Sequence, residues 1–401
     1  MHSNFPRRAR MPARAAAIVL ALSCAATGAF AGARYKVLAS FDGADGAVPG
    51  VGLTKAPDGR MVGITTSSQI GGSGGPAVIY SVEADNTLKV LHVFAADGSE
   101  GLTFQSPLRT VALDGWIYGV ATEGGAEGLG TLFRVTTDGD FEVVHSFTAA
   151  GDATGHPSGA LALTQDGTLY GTTAGGVPGL PDDHGTVFGR RSDGSFFWLH
   201  RFTGGDDGAS PMGGVALDHY STLHGTTSAG GANGGGVLFS QGLDAWIFKP
   251  EHAFSCIIDG CAPRAAVAID SNDHVFGTTS RGGSGGGMGT IFKSTGGKFF
   301  TLHTFTNADT AGRFPIGGLA FDDVTGLFWG TTSQGGSAQG GTLFKMSAKG
   351  KVTVQHAFGA APDGSQPWCT PTVLVDGTVY GTTTAGGAGG LGTVWRLKPA
   401  K

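Results

Sequence analysis

The amino-acid sequence predicts an all-β fold: a seven-bladed β-propeller of four-stranded antiparallel blades, closed by an N-terminal strand that completes the last blade. Three observations predict it. An aromatic or apolar residue, then Gly-Thr-Thr, then a Gly-Gly loop recurs at Gly63, Gly119, Gly171, Gly225, Gly277, Gly330 and Gly381, spaced by 56, 52, 54, 52, 53 and 51 residues. A near-constant period of this length, with strand patterns in every unit, marks a propeller. Each unit also divides into four short runs rich in β-forming residues, separated by Asp-Gly and Gly-Gly turn signals. The last unit stops one strand short, and the missing strand stands at the other end of the chain.

The third unit gives the order of elements. Pro157 opens the first strand, Gly159-Ala160-Leu161-Ala162-Leu163, which ends in the turn Gln165-Asp166-Gly167. The second strand, Thr168-Leu169-Tyr170-Gly171-Thr172-Thr173, runs into a glycine loop reaching Gly185. Gly185-Thr186-Val187-Phe188 is the third, Asp193-Gly194 the next tight turn, and Trp198-Leu199-His200-Arg201-Phe202 the fourth. A loop containing Asp206-Asp207-Gly208 then leads to Pro211 and the next unit. Tight turns thus alternate with longer connections, so the long loops should gather on one face of the disk, where binding residues are expected. In the seventh unit the third strand is Gly392-Thr393-Val394-Trp395-Arg396-Leu397, and Tyr35-Lys36-Val37-Leu38-Ala39-Ser40-Phe41 supplies the fourth. Closing the ring from both termini leaves no open sheet edge.

The repeated phrase, Gly-Thr-Thr-x-x-Gly-Gly followed by Gly-Thr-[Val/Leu/Ile]-Phe, resembles the GloVer tandem repeat of bacterial "choice-of-anchor" surface proteins. The resemblance covers essentially the whole mature chain. Units one and two depart most, with Gly63-Ile64-Thr65-Thr66 and Gly119-Val120-Ala121-Thr122. It implies an exported, extracellular repeat protein, often carrying a variable C-terminal anchor, and it brings no catalytic residues. The tail Arg396-Leu397-Lys398-Pro399-Ala400-Lys401 shows no anchor or sorting pattern. The Gly-Gly after the second strand is also similar to kelch propellers.

Composition narrows the setting. Charged residues are 14% of the chain, below the roughly 25% of ordinary domains, which suits sheets buried on both faces. Residues 1–31 read as an export signal: Arg7, Arg8, Arg10 and Arg14 form a basic head, residues 15–22 a short apolar run, and Ala29-Phe30-Ala31 a cleavage pattern. The run is too short for a membrane anchor. Residues 32–401 then form a single propeller domain, secreted or periplasmic. Without the four leader arginines the chain carries 22 basic against 31 acidic residues, net −9. That argues against nucleic acid as a partner, and no later apolar run is long enough for stable membrane insertion. A monomer is expected. Cys256 and Cys261 flank a short loop and are expected to pair in an oxidising compartment, leaving Cys369 as a lone buried thiol.

Candidate chemistry is sparse. His92, His145, His200, His252, His303 and His356 each precede a phenylalanine by two residues, on the outermost strand of six different units. They cannot converge on one ion, and packing between blades is the reading. Gly71-Gly72-Ser73-Gly74-Gly75 and Gly282-Gly283-Ser284-Gly285-Gly286 match a nucleophile-elbow string but lack its strand-to-helix setting. Asp42-Gly43-Ala44-Asp45-Gly46, Asp206-Asp207-Gly208 and Asp182-Asp183-His184 read as turns rather than calcium loops. No metal or cofactor is expected.

The informative column follows the proline that starts each first strand: Gly50, Leu108, Ser158, Met212, Arg264, Ile316 and Trp368. Its neighbours repeat while it varies, so these residues are expected to ring one mouth of the channel. Arg264, Trp368, Arg109 and Arg313 would offer charge and a stacking surface to an acidic or carbohydrate ligand. The leading expectation is a non-catalytic exported propeller binding a surface polymer, carbohydrate or partner protein through its long-loop face. The alternative is an extracellular polysaccharide lyase or hydrolase with its site at the channel mouth, which would need a cluster of carboxylates there.

Overall fold

The computed structural model describes residues 34–66, 76–110, 115–149, 155–176, 183–244, 246–308 and 310–399. The expected leader, the Gly71–Gly75 string and Asp182 lie outside them. The described residues form seven four-stranded antiparallel sheets, each a blade, plus a two-stranded pairing of Gly364–Ser365 with Ala385–Gly386. In the third blade Pro157–Leu163, Leu169–Thr173, Thr186–Arg190 and Phe196–Arg201 lie in chain order. The seventh contains Thr372–Val373, Val379–Thr383, Thr393–Lys398 and, outermost, Arg34–Ser40. Arg34 pairs with Lys398 and Ser40 with Thr393, so both ends of the propeller share one sheet.

The repeated phrase has a distinct physical task at each position. Gly277 faces Phe292 on the third strand, and a Cβ there would stand 2.4 Å from the ring's Cζ. Only glycine lets the aromatic ring lie across the second strand. In the last three units the first threonine ties blades together: Thr278, Thr331 and Thr382 donate to the carbonyls of Gly317, Cys369 and Val51 in the next blade, at 3.1, 2.8 and 3.0 Å. In the two departing units this position holds Ile64 and Val120, which are buried in apolar clusters instead. The second threonine pairs with the hydroxyl that opens the third strand, as in Thr279–Thr290 at 2.8 Å and Thr383–Thr393 at 2.7 Å. The core therefore sits between blades: Val62 and Ile79 of the first pack in one cluster with Leu108, Ile117 and Phe133 of the second.

The histidine column fastens the rim. His92, His200 and His252 stack on Phe141, Phe248 and Phe299 of the following blade, with ring centroids 3.7, 3.6 and 3.6 Å apart. Each also meets its own phenylalanine edge-on. Their Nε2 atoms lie 2.9, 2.9 and 2.7 Å from carboxylate oxygens of Glu100, Asp207 and Asp259 in the connection to the next blade. Burial lowers the pKa of His200 against the opposing pull of Asp207. At the closing seam His356 stacks on Tyr35 at 3.5 Å and bonds Asp363, while the Tyr35 hydroxyl donates to the same carboxylate at 2.7 Å. These rings are structural, and they lie in different blades.

The long connections share one face. Gly125, Gly231, Gly283 and Gly387, each in a loop between second and third strands, donate to Gly98, Gly205, Cys256 and Asp363 in incoming connections between blades. Those bonds are 2.8, 2.8, 2.9 and 2.7 Å long. No helix among the described residues is long and apolar enough to cross a membrane.

Candidate functional site at the channel mouth

Six first strands begin with the same backbone device. The residue before the proline has a positive φ: Val48 55°, His156 62°, Ser210 53°, Ala262 51°, Phe314 55° and Gln366 56°. Non-glycine residues avoid this region, and it persists only where surrounding bonds impose it. The bonds come from the residue after Gly-Thr-Thr. The Ser280 amide and hydroxyl both donate to the Ala262 carbonyl, at 3.3 and 2.7 Å, and Ser333 and Thr384 treat Phe314 and Gln366 alike. Each clamp fixes where the chain enters the channel and where the next side chain stands.

In the fifth, sixth and seventh blades these side chains come together. Arg264, Ile316 and Trp368 line a cavity of about 260 Å³ with Phe314, Gln366, Ser280, Arg281, Ser333 and Gln334. Among the described residues, neither the Arg264 nor the Arg281 guanidinium has a hydrogen-bond or ion-pair partner. Both are exposed, and Trp368 is half-buried. No carboxylate, histidine or tyrosine lines the cavity. Two uncommitted guanidinium groups beside an indole can grip a planar anion and offer a surface for stacking. The lining carries no acid–base pair for hydrolysis.

Disulfide bonding stiffens one wall. Cys256 and Cys261 are bonded, with Cα atoms 4.7 Å apart. Cys261 and Arg281 exchange backbone hydrogen bonds of 2.8 and 3.2 Å, and the Cys256 carbonyl receives the Gly283 amide. The cystine loop thus braces the segment that carries Arg281. Cys369 is a buried free thiol whose pKa is raised by burial.

The other expected residues are placed differently. Arg313 donates to Asn307 Oδ1 at 3.1 Å and to Gln334 Oε1 at 3.4 Å, so it borders the cavity and orients Gln334. Leu108 is not at the mouth. It is 3% exposed and lies against Gly119, as Leu161 lies against Gly171. The second blade lacks the positive-φ clamp, and Thr122 donates instead to Thr103. Counting from that bond, and from the pairing of Arg109 with Tyr118, puts Gln105 in the mouth column and Arg109 four residues deeper. Arg109 lines a separate cavity of about 330 Å³. The proline misleads here because fewer residues separate it from the second strand than in the other blades. Arg281 and Gln334 were missed, although their column, two residues after Gly-Thr-Thr, also varies: Ser67, Glu123, Gly175, Ala229, Arg281, Gln334, Ala385.

The chain matches the family model of the Gloeobacter/Verrucomicrobia repeat over residues 27–179 and 157–395, in agreement with the resemblance carried by the Gly-Thr-Thr phrase. It matches no curated protein. Among solved structures it is similar to an oligogalacturonate lyase from Vibrio parahaemolyticus, at 11% identity and a TM-score of 0.57, over 91% of this chain and 93% of that one. It is also similar to a provisionally assigned 6-phosphogluconolactonase from Bacteroides uniformis, at 15% identity, TM-score 0.52, covering 82% and 88%. A third likeness is to the extracellular domain of a provisionally assigned one-component system from B. thetaiotaomicron, at 10% identity, TM-score 0.57, covering 90% and 39%. At such identities the likeness is one of fold.

Proposed function

The chain belongs to the Gloeobacter/Verrucomicrobia repeat family, and we propose that it is an exported, non-catalytic propeller that binds an acidic carbohydrate polymer at its long-loop face. One observation carries the reading: Arg264 and Arg281, without partners among the described residues, share a cavity with Trp368. Guanidinium groups suit carboxylate and the indole suits a sugar face, while Gln334 and Gln366 add donors and acceptors at the edge. Residues 32–401, with 22 basic against 31 acidic residues, repel polyanions in general, so local cations set beside an aromatic ring favour a specific contact. Export is supported by the basic head, apolar run and cleavage pattern of residues 1–31, and by a cystine that an oxidising compartment would preserve.

The test is an array of acidic and neutral polysaccharides probed with residues 32–401, measuring bound protein and released fragments together. Retention on polyuronates is expected, weakened about tenfold or more by Arg264→Ala, Arg281→Ala or Trp368→Ala, since a charge-assisted bond is worth about 1.5–3 kcal/mol. Retention should fall with added salt. Release of fragments would replace this reading with an extracellular lyase or hydrolase. Equal retention of the three variants would remove the site from the mouth.

A further inference from the structure

The cavity around Arg109 is separate from the mouth and has a different lining. Its walls are Gly52–Lys55, Pro107–Arg109, Ala160, Leu161 and Thr370–Thr372, contributed by the inner strands of the seventh, first, second and third blades. In the other six blades the position in register with Arg109 holds a small residue: Thr54, Ala162, Ala216, Ala268, Ala320 and Thr372. One blade alone places a guanidinium at this level. Its register position is four residues below the mouth column, about 13 Å at the rise of an extended strand.

Nothing in the described protein answers that charge. Arg109 has no hydrogen-bond or ion-pair partner among the described residues, and no carboxylate lines the cavity. Solvent reaches the side chain, yet the inner strands crowd it, and their desolvation alone shifts the guanidinium's pKa down. The two threonine hydroxyls beside it are committed, Thr54 to the Leu108 carbonyl and Thr372 to the Leu53 carbonyl. A partly desolvated cation without a counter-charge is unfavourable for folding. The small residues of the other blades would fill the position without that penalty. What Arg109 adds is a fork of five N–H donors facing a space of small-ligand size.

We propose that the inner channel is an anion site, in which Arg109 holds a small carboxylate or phosphate-bearing molecule by two parallel N–H···O bonds. The site does not depend on the mouth or on the polymer reading. A space of about 330 Å³ suits a discrete small molecule. Both oxyanions match the guanidinium fork, so the carrier is distinguished by titration rather than by the geometry.

The experiment uses residues 32–401 at fixed ionic strength, titrated separately with inorganic phosphate and with galacturonate, and read by calorimetry and by the unfolding temperature. Saturable binding of at least one anion is expected in the wild type. Arg109→Thr, which installs the residue of the first and seventh blades, should lose at least tenfold in affinity. It should unfold at the wild-type temperature or above when no anion is added, which separates lost binding from lost folding. Lys36→Ala, which removes an exposed cation on the outermost strand of the seventh blade, should bind within twofold of wild type. The proposal is overturned if neither anion saturates the wild type, if Arg109→Thr binds within twofold of it, or if Lys36→Ala loses as much affinity as Arg109→Thr.

Discussion

Tyr35 is where the ring is latched, and replacing it should open the seam. The ring stacks on His356 at 3.5 Å, meets Phe358 edge-on at 6.0 Å and lies 6.2 Å from Trp395. Its hydroxyl donates to Asp363, which also accepts from the Gly364 amide. Truncating a large aromatic in a packed site costs about 3–5 kcal/mol, and this one is half-buried, so Tyr35→Ala should cost about 3–4 kcal/mol. Tyr35→Phe keeps the stacking and removes one bond to a carboxylate that retains other donors, which is worth about 1–1.5 kcal/mol. Unfolding entropy of roughly 2.1 cal/mol/K per residue converts these figures to losses of about 4–5 °C and 1–2 °C for a chain of this length.

The pH dependence separates the two terms. Burial raises the Asp363 pKa, but the bonds from His356 and Tyr35 outweigh it and hold the carboxyl below its usual range. A depressed folded-state pKa stabilises the protein above the unfolded value, near 3.9, and that stability is lost as pH falls through the folded value. The Tyr35→Phe penalty should therefore be full at pH 6 and vanish in acid, while most of the Tyr35→Ala penalty persists. Scanning calorimetry at pH 6 and at stepped pH values below 3.9 reads both. An unfolding temperature for Tyr35→Ala within 1 °C of wild type would refute the latch, as would equal losses for the two variants.

Three further outcomes are expected. Gly277→Ala forces a Cβ to within 2.4 Å of the Phe292 ring, so denaturant unfolding should show a loss of about 1–3 kcal/mol; no loss would mean the ring moves freely. Replacing Cys256 and Cys261 by serine releases a short loop, worth about 2 kcal/mol in chain entropy, and should speed hydrogen exchange at the Arg281 amide, whose acceptor is the Cys261 carbonyl. Unchanged exchange there would uncouple the cystine from the mouth. His200 should titrate by NMR below the usual histidine value near 6.5, because burial outweighs its bond to Asp207. Its neutral ring then supports the fold fully above pH 6.5 and progressively less as pH falls through the lower folded value; a midpoint above 6.5 would contradict this.

What the repeat encodes was legible because the same physical task recurs. Glycine under a ring, a threonine pair between second and third strands and histidine on the following aromatic are local solutions that recur from blade to blade, so their spacing in sequence is their spacing in space. The closure was legible for the same reason: Tyr35 to Phe41 completes a pattern whose other three strands stand at Thr372–Lys398. The second blade was not. Its first strand keeps Pro107 but lacks the clamp, so the proline no longer marks the mouth, and Leu108 falls on a core position. Arg109 was grouped with Arg264 by that error and belongs to another level of the channel.

Function in such a chain is carried by what the repeat does not fix. Residues that repeat are committed to holding blades together and cannot be exchanged without loss of packing. Positions that vary from blade to blade while their neighbours repeat are free of that duty, and two such columns, after the proline and two residues after Gly-Thr-Thr, meet at one cavity in the fifth to seventh blades. The backbone clamps explain why. They hold the pre-proline residue in a left-handed conformation whatever its side chain, so the entry of each strand stays constant while Arg264, Ile316 and Trp368 differ. A rigid frame with substitutable tips lets the mouth residues change without refolding. Arg264, Arg281 and Arg109, which have no hydrogen-bond or ion-pair partner among the described residues, stand on inner-strand or loop positions of this kind. The charged side chains of the outer rim that belong to the repeat are instead paired across blades, as Asp207, Asp259 and Asp363 are with their histidines.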